Sequence, residues 1–369
     1  MPLALAGLVM AGILLLLVAV FFPADSRAAG EKIQPELSDK LDMYVHNSIS
    51  NALDGIYPIE KVYRLSENEL VAPEPDQSRF GSTADPQEMQ KVLTAASELF
   101  DGQEFRFTPE TALMPGTELR YYMDETIVAL TWQEVIQNTV YSFSEIRIAH
   151  PSQFRRMFTG DSFNSGIQNR SSDMAASVNA VVAISGDFYA FRSHGIIVYR
   201  GELYRNAGQY IDTCFFDTNR NMHFVRAGEL TREEDVRRYL EEKDILFSAA
   251  FGPVLVVDGA VSLPGYYPIG EVEDRYARCA IGQYGELHYL LATANTGGYY
   301  TNAPTIAELA AVMQAQGCDK AYTLDGGQTA TLVMNDVRVN PVEYGSERNI
   351  SDIIYFATAL PNIEGSVEA

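Results

Sequence analysis

This chain is poor in the residues that build metal and disulfide frameworks: three cysteines, five histidines and one tryptophan in 369 residues. Cys214, Cys279 and Cys318 stand far apart with no metal-ligand spacing, and the histidines are dispersed, so a zinc cluster and a disulfide scaffold are both disfavoured. An odd count in an exported protein leaves at least one thiol unpaired, and all three read as small buried hydrophobes. No Gly-x-Gly-x-x-Gly or Walker pattern occurs and no repeat of fixed period is visible, which removes support for a nucleotide-binding fold or a solenoid. Positive charge is also scarce. Twenty-seven Lys and Arg face 49 Asp and Glu, a formal net charge of −22, and such a surface repels nucleic acid. Any phosphate site must therefore be a local group of arginines inside an acidic shell, screened beyond about 10 Å at ordinary salt.

What is present begins with an uncharged apolar run, Leu3 to Phe22, ahead of the first charged side chain at Asp25. Its length suits a bilayer crossing, and Ser26-Arg27-Ala28 offers a small-x-small cleavage site. Residues 1–29 are thus expected to be a membrane anchor or signal segment, with the rest of the chain outside the cytoplasm. Residues 30–118 read as a small helical and linker region. Ile33, Leu37, Leu41, Tyr44, Val45, Ile49 and Leu53 recur at helical spacing; Ala72 to Gln87 is a Pro-, Asp- and Ser-rich loop; and Asp85-Pro86 opens a helix with Met89, Val92, Leu93, Ala96, Leu99 and Phe100 on one face.

From Leu119 the texture changes to short strands rich in β-branched and aromatic residues, such as LRYYM, TIVALTW and TVYSFSEIRIA. Helical patterns are few: Ser152 to Phe158, Asp173 to Val178, Arg232 to Lys243 and Pro304 to Gln316. The expected class is α+β, with residues 119–369 forming a strand-rich mixed-sheet domain. Two places in it carry chemistry. AVVAI, Ala180 to Ile184, suits a central strand and ends on Ser185-Gly186-Asp187-Phe188-Tyr189, which puts a carboxylate beside a glycine at a strand end. Ala321 to Met334, AYTLDGGQTATLVM, packs Asp325, Gly326, Gly327, Gln328 and Thr329 into a tight corner between two apolar runs. Paired glycines let backbone N–H groups approach a ligand beside a fixed acid. Asp-Gly between apolar runs is equally a hairpin signal, and Asp187 equally a turn aspartate.

Four segments taken together, AVVAISGDFY, RYARCAIGQYGELHYLLA, AYTLDGGQTATLV and ERNISD, resemble the phosphodiester glycosidase family over roughly Thr139 to Leu360. The family's bacterial relatives are often labelled exopolysaccharide-biosynthesis proteins. Its Asn-Gly-Asp/Gly-Phe-Tyr/Phe segment falls on Ser185 to Tyr189, its Arg-Thr-Ala-Ile-Gly segment on Arg278 to Gly282, its Leu-Asp-Gly-Gly-Gly-Ser segment on Leu324 to Thr329, and its late arginine on Arg348. Ser185, Cys279 and Gln328-Thr329 depart from that pattern.

The resemblance implies hydrolysis of the sugar C1–O bond of a glycosyl phosphodiester, a reaction with an oxocarbenium-like transition state for which glycosidases supply two carboxyl groups. It assigns that role to Asp187 and Asp325. Arg278 and Arg348 would hold the phosphate, and Gly326, Gly327, Gln328, Thr329, Gly186 and Tyr189 would line the substrate site. Each arginine could instead be a structural salt bridge to one of the aspartates. No cofactor is implied, although a divalent cation between the aspartates is compatible with the sequence. The expected partners are a carbohydrate or glycosyl-phosphate substrate and a membrane. A noncatalytic envelope glycan-binding or assembly factor and a metal-dependent phosphoester hydrolase are the alternatives.

Overall fold

The computed structural model describes residues 63–267, 274–295 and 303–360. The apolar run at 3–22 and the amphipathic pattern at 33–53 lie outside the described residues. Among the described residues no helix is long and apolar enough to cross a membrane.

A nine-stranded sheet forms the base. In spatial order its strands are β1 (Phe80–Thr83), β2 (Leu119–Met123), β3 (Ile127–Ile136), β4 (Thr139–Ile148), β15 (His288–Asn295), β14 (Arg278–Gly285), β16 (Lys320–Leu324), β12 (Val254–Val257) and β13 (Ala260–Val261). A five-stranded sheet holds β18 (Val337–Arg338), β17 (Leu332–Met334), β6 (Val182–Ser185), β19 (Asp352–Phe356) and β5 (Phe154–Phe158), with β6 at its centre. Three more strands, β10 (Met222–Val225), β9 (Thr213–Asp217) and β11 (Ile245–Ala249), make a third sheet, and β7 (Gly195–Tyr199) pairs with β8 (Glu202–Ala207). The β3–β4, β4–β15, β14–β15 and β14–β16 ladders are antiparallel, as are those around β6.

The pleat sends alternate residues to opposite faces, and that alternation sorts the core into layers. One face of the large sheet gives Ile127, Ala129, Ile146, Cys279, Ile281, Tyr289, Tyr322 and Leu324 to a core shared with Phe154, Val182, Ile184, Leu332, Ile354 and Phe356 of the five-stranded sheet and with Phe216 and Phe247 of the third. The other face gives Val128, Leu130, Trp132, Ala280 and Leu290 to a layer closed by α1 (Pro86–Leu99) and α4 (Ile306–Ala315). The shorter α2 (Ser171–Ser177) covers the outside of the five-stranded sheet, and α3 (Glu233–Glu242) packs Val236 and Leu240 against Ile196, Val198 and Phe215. Strand-rich sheets with these four helices among the described residues agree with the expected α+β class.

Two expectations are corrected and one open alternative is excluded. FRRMF, expected as a helix within Ser152 to Phe158, is β5: it pairs along its whole length with β19, and all five residues are buried, so no alternation was there to read. The Ala72 to Gln87 stretch holds β1, which is hydrogen-bonded to β2, while α1 buries Met89, Val92 and Ala96 on the sheet. Residues 63–118 therefore share a core with the strands from β2 onward, and the boundary expected before Leu119 cuts through one sheet. Lastly, the Asp325 corner is no hairpin. Its first strand, β16, belongs to the large sheet and its second, β17, to the five-stranded one, so the corner carries the chain from one layer to the other.

Candidate active site

The two aspartates expected to be catalytic lie where two sheets meet. Asp325 leaves the end of β16 and Gly186 leaves the end of β6, and the Asp325 N–H donates to the Gly186 carbonyl at 3.0 Å. Glycine is required on both sides of this junction. A Cβ on Gly186 would stand 1.9 Å from Asp352 Oδ2, and one on Gly326 would stand 2.5 Å from the Ala277 carbonyl oxygen.

Asp187 is wholly buried, and its oxygens are engaged. Oδ1 accepts from Tyr189 N–H at 2.6 Å, and Oδ2 accepts from Ala250 N–H at 2.8 Å while lying 3.0 Å from Arg156 Nη2. The same guanidinium reaches Asp352 Oδ2 through Nη2 at 2.7 Å and Nε at 2.8 Å. Arg156 also lies over the Phe158 ring, 4.6 Å from its centroid. One arginine thus ties two carboxylates beneath the Gly186 backbone. Burial pushes the Asp352 carboxyl well above its ordinary value, Arg156 pulls it down, and the neighbouring Asp187 charge pushes it up again.

Asp325 sits above that layer and is half-buried. Burial pushes its carboxyl up to about 7; contact with Thr329 and the charges of Arg192 and Arg348 act against the rise, and Asp187 adds to it. A partly exposed carboxyl titrating near neutrality within the field of two cations is suited to proton transfer.

Arg348 is exposed and lies over Phe188 and Phe191, at 6.0 and 5.7 Å from their centroids. Gln328 Nε2 donates to the Ser346 carbonyl at 3.1 Å, which ties the Asp325 corner to the Arg348 loop. Thr329 is buried and its hydroxyl donates to the Gly326 carbonyl at 2.5 Å. Gly327, at φ 64°, donates its N–H to the Ala277 carbonyl at 2.7 Å. That N–H belongs to the fold rather than to an anion cradle, which corrects the expectation for Gly327. Tyr189 is buried and stacks on Phe158 at 4.3 Å, so its ring serves the core.

Arg278 is not drawn into this cluster. Its Nη2 donates to the Asp274 carbonyl at 2.6 Å, and its Nε to that of Pro304 at 3.4 Å. The reason is the pleat: Arg278 shares a face of β14 with Ala280, which joins the helix-covered layer, whereas Cys279 faces Ser185. Ser185, where the resemblance has an asparagine, is itself buried, with its hydroxyl 3.5 Å from Cys279 Sγ. All three cysteines are buried and free.

Sequence reasoning missed Asp352, Arg156 and Arg192. Asp352 is the last residue of the ERNISD segment, and Arg192 stands three residues beyond Tyr189. Arg156 carried no signal, because its stretch read as a helix. Among the described residues no group of three or more His, Cys, Asp or Glu is placed to hold a metal.

Residues 178–357 match the phosphodiester glycosidase family model. The matched stretch is just under half of the chain; it contains all four of the segments that carry the resemblance, and it begins after the Thr139 expected. Among solved structures, the chain is similar to the catalytic domain of zebrafish N-acetylglucosamine-1-phosphodiester alpha-N-acetylglucosaminidase, in a form auto-inhibited by its pro-peptide, at 17% identity and a TM-score of 0.47 over 63% of this chain and 83% of that one. It is also similar to a hypothetical protein from Synechocystis, at 12% identity and a TM-score of 0.43 over 63% and 62% of the two chains. No curated protein matches.

Proposed function

We propose that the chain hydrolyses the sugar C1–O bond of a glycosyl phosphodiester at a site centred on Asp325. The observation that carries this reading is a half-buried carboxyl titrating near 7 at a sheet junction, within electrostatic reach of an exposed arginine, in a stretch that matches the phosphodiester glycosidase family.

In this reaction a water oxygen attacks the anomeric carbon while the bond from that carbon to the phosphate oxygen breaks. The electron pair leaves with the phosphate monoester, so the leaving group needs little protonation. Asp325, as carboxylate, takes the proton of the attacking water, a general base matched to neutral pH. Arg348 supports the negative charge that grows on the phosphate. Asp187, with both oxygens occupied, acts through position: with Arg156 and Asp352 it fixes the Gly186 backbone against which Asp325 is set.

Hydrolysis of a sugar phosphodiester in oxygen-18 water tests the reading. Label in the sugar supports it, label in the phosphate means P–O cleavage, and no turnover points to a binding role. We further place the domain outside the cytoplasm, anchored through residues 3–22 and facing envelope or exopolysaccharide material. The uncharged run ahead of a strongly acidic chain supports this. Protease added to intact protoplasts should remove the domain, and full protection would refute the placement.

A further inference from the structure

The family resemblance points to Arg278 as the second phosphate partner of Arg348, yet Arg278 binds the Asp274 and Pro304 carbonyls. Another arginine, Arg192, lies within electrostatic reach of Asp325. Arg192 is half-buried, donates through Nη1 to the Phe251 carbonyl at 3.3 Å, and lies over two rings, Phe251 at 4.7 Å and Phe188 at 5.6 Å. Phe188 also lies under Arg348, and it stacks on Phe191 at 4.8 Å. A single ring therefore seats both guanidinium groups. Phe188 stands two residues after Gly186, whose carbonyl receives the Asp325 N–H, and Gln328 holds the Arg348 loop to the same corner.

We propose that Arg192 and Arg348, seated on the shared Phe188 ring, form a two-arginine clamp that selects a phosphodiester monoanion over a neutral glycoside. Aromatic faces hold a guanidinium by its flat side and leave its N–H edge available to anion oxygens. Seating both groups in advance lowers the ordering cost of binding. Lining up two cations in a chain of net charge −22 also answers the electrostatic problem of drawing an anion to an acidic protein, since they act inside the distance that salt screens. The clamp deepens the hydrolase reading and rests on it for the identity of the substrate.

The test uses the full chain and two readouts. Dimethyl phosphate, a phosphodiester monoanion with no sugar, is titrated by calorimetry into wild type, Arg192→Gln and Arg192→Lys. Turnover is then compared on a sugar phosphodiester and on the neutral aryl glycoside of the same sugar, with thermal unfolding reporting that each variant is folded. Arg192→Gln should weaken dimethyl phosphate binding by about tenfold, the loss of one charge-assisted partner. It should raise KM for the phosphodiester by about tenfold more than for the neutral glycoside, and Arg192→Lys should recover part of both. Wild type that fails to bind dimethyl phosphate, a folded Arg192→Gln that binds it equally well, or equal losses on the two substrates would overturn the clamp. Arg192-dependent binding without turnover would refute the hydrolase reading and keep the clamp; turnover with Arg192-independent binding would do the reverse.

Discussion

Replacing Asp325 by Asn should abolish hydrolysis and, at the same time, make the protein more stable in a way that grows with pH. The Asp325 carboxyl is pushed up to about 7 from an ordinary 3.8, so the folded state binds its proton more tightly than the unfolded state does. Stability is therefore lost as pH rises from about 4 to 7 and stays level above that range. Asparagine keeps the shape and carries no charge at any pH. Each pH unit of difference corresponds to about 1.4 kcal/mol, so the advantage of the Asn variant over wild type should widen by about 2 kcal/mol between pH 5.5 and 8.5 if the carboxyl is dry, and by about 1 kcal/mol if water on its open side screens it. Taking the difference between two pH values cancels the constant cost of exchanging an oxygen for an amide. The assay is urea unfolding of both proteins at matched ionic strength across that range. Parallel curves would show that the carboxyl is not raised. If Arg192 and Arg348 outweigh burial, Asp325 is an ordinary ion-paired carboxylate, ionised in both states across this range, and the curves stay parallel.

Arg156→Met should destabilise by about 3–5 kcal/mol at neutral pH, because two buried carboxylates lose their shared partner; the loss should shrink in acid as Asp352 is protonated, and a pH-independent loss in denaturant titrations would contradict the pairing of Arg156 with Asp187 and Asp352. Gly186→Ala should cost about 3 kcal/mol or more, since the new methyl meets an Asp352 oxygen that Arg156 holds in place; a thermal midpoint unchanged from wild type would refute that packing. A chain starting at Leu119 should be insoluble, while one starting at Tyr63 folds, because β1 and α1 cover the large sheet; a soluble, cooperatively unfolding domain from Leu119 would show that they are dispensable. Gly327→Ala should cost about 1 kcal/mol for forcing a side chain to positive φ, with activity falling only if the corner itself moves, as parallel unfolding and turnover assays would show.

Most of the strands, the four helices among the described residues and the two acid-glycine strand ends were legible in the sequence; β5 was not, because burial hid its alternation, and β1 was not, because it lies in a Pro-, Asp- and Ser-rich stretch. Alternation, glycine pairs and helix caps are local, and local chemistry is what a sequence displays. Asp85 caps α1, and Thr305 and Glu308 form the capping box of α4, as such residues should. Tertiary structure decided the rest, for reasons a linear chain does not carry. FRRMF became a strand because β19 was there to pair with it, and the Asp325 corner crosses between sheets because the partners of β16 and β17 lie in different layers. Of two aspartates alike in sequence, one was sealed by Arg156, Tyr189 and Ala250 and the other left partly exposed. Which arginines lie within electrostatic reach of Asp325 came from the pleat, which turned Arg278 toward the helix-covered layer, and from the Phe188 ring, which seats Arg192 and Arg348. Burial and facing are properties of the packed sheets, and they set the surroundings of each carboxyl and the direction of each guanidinium.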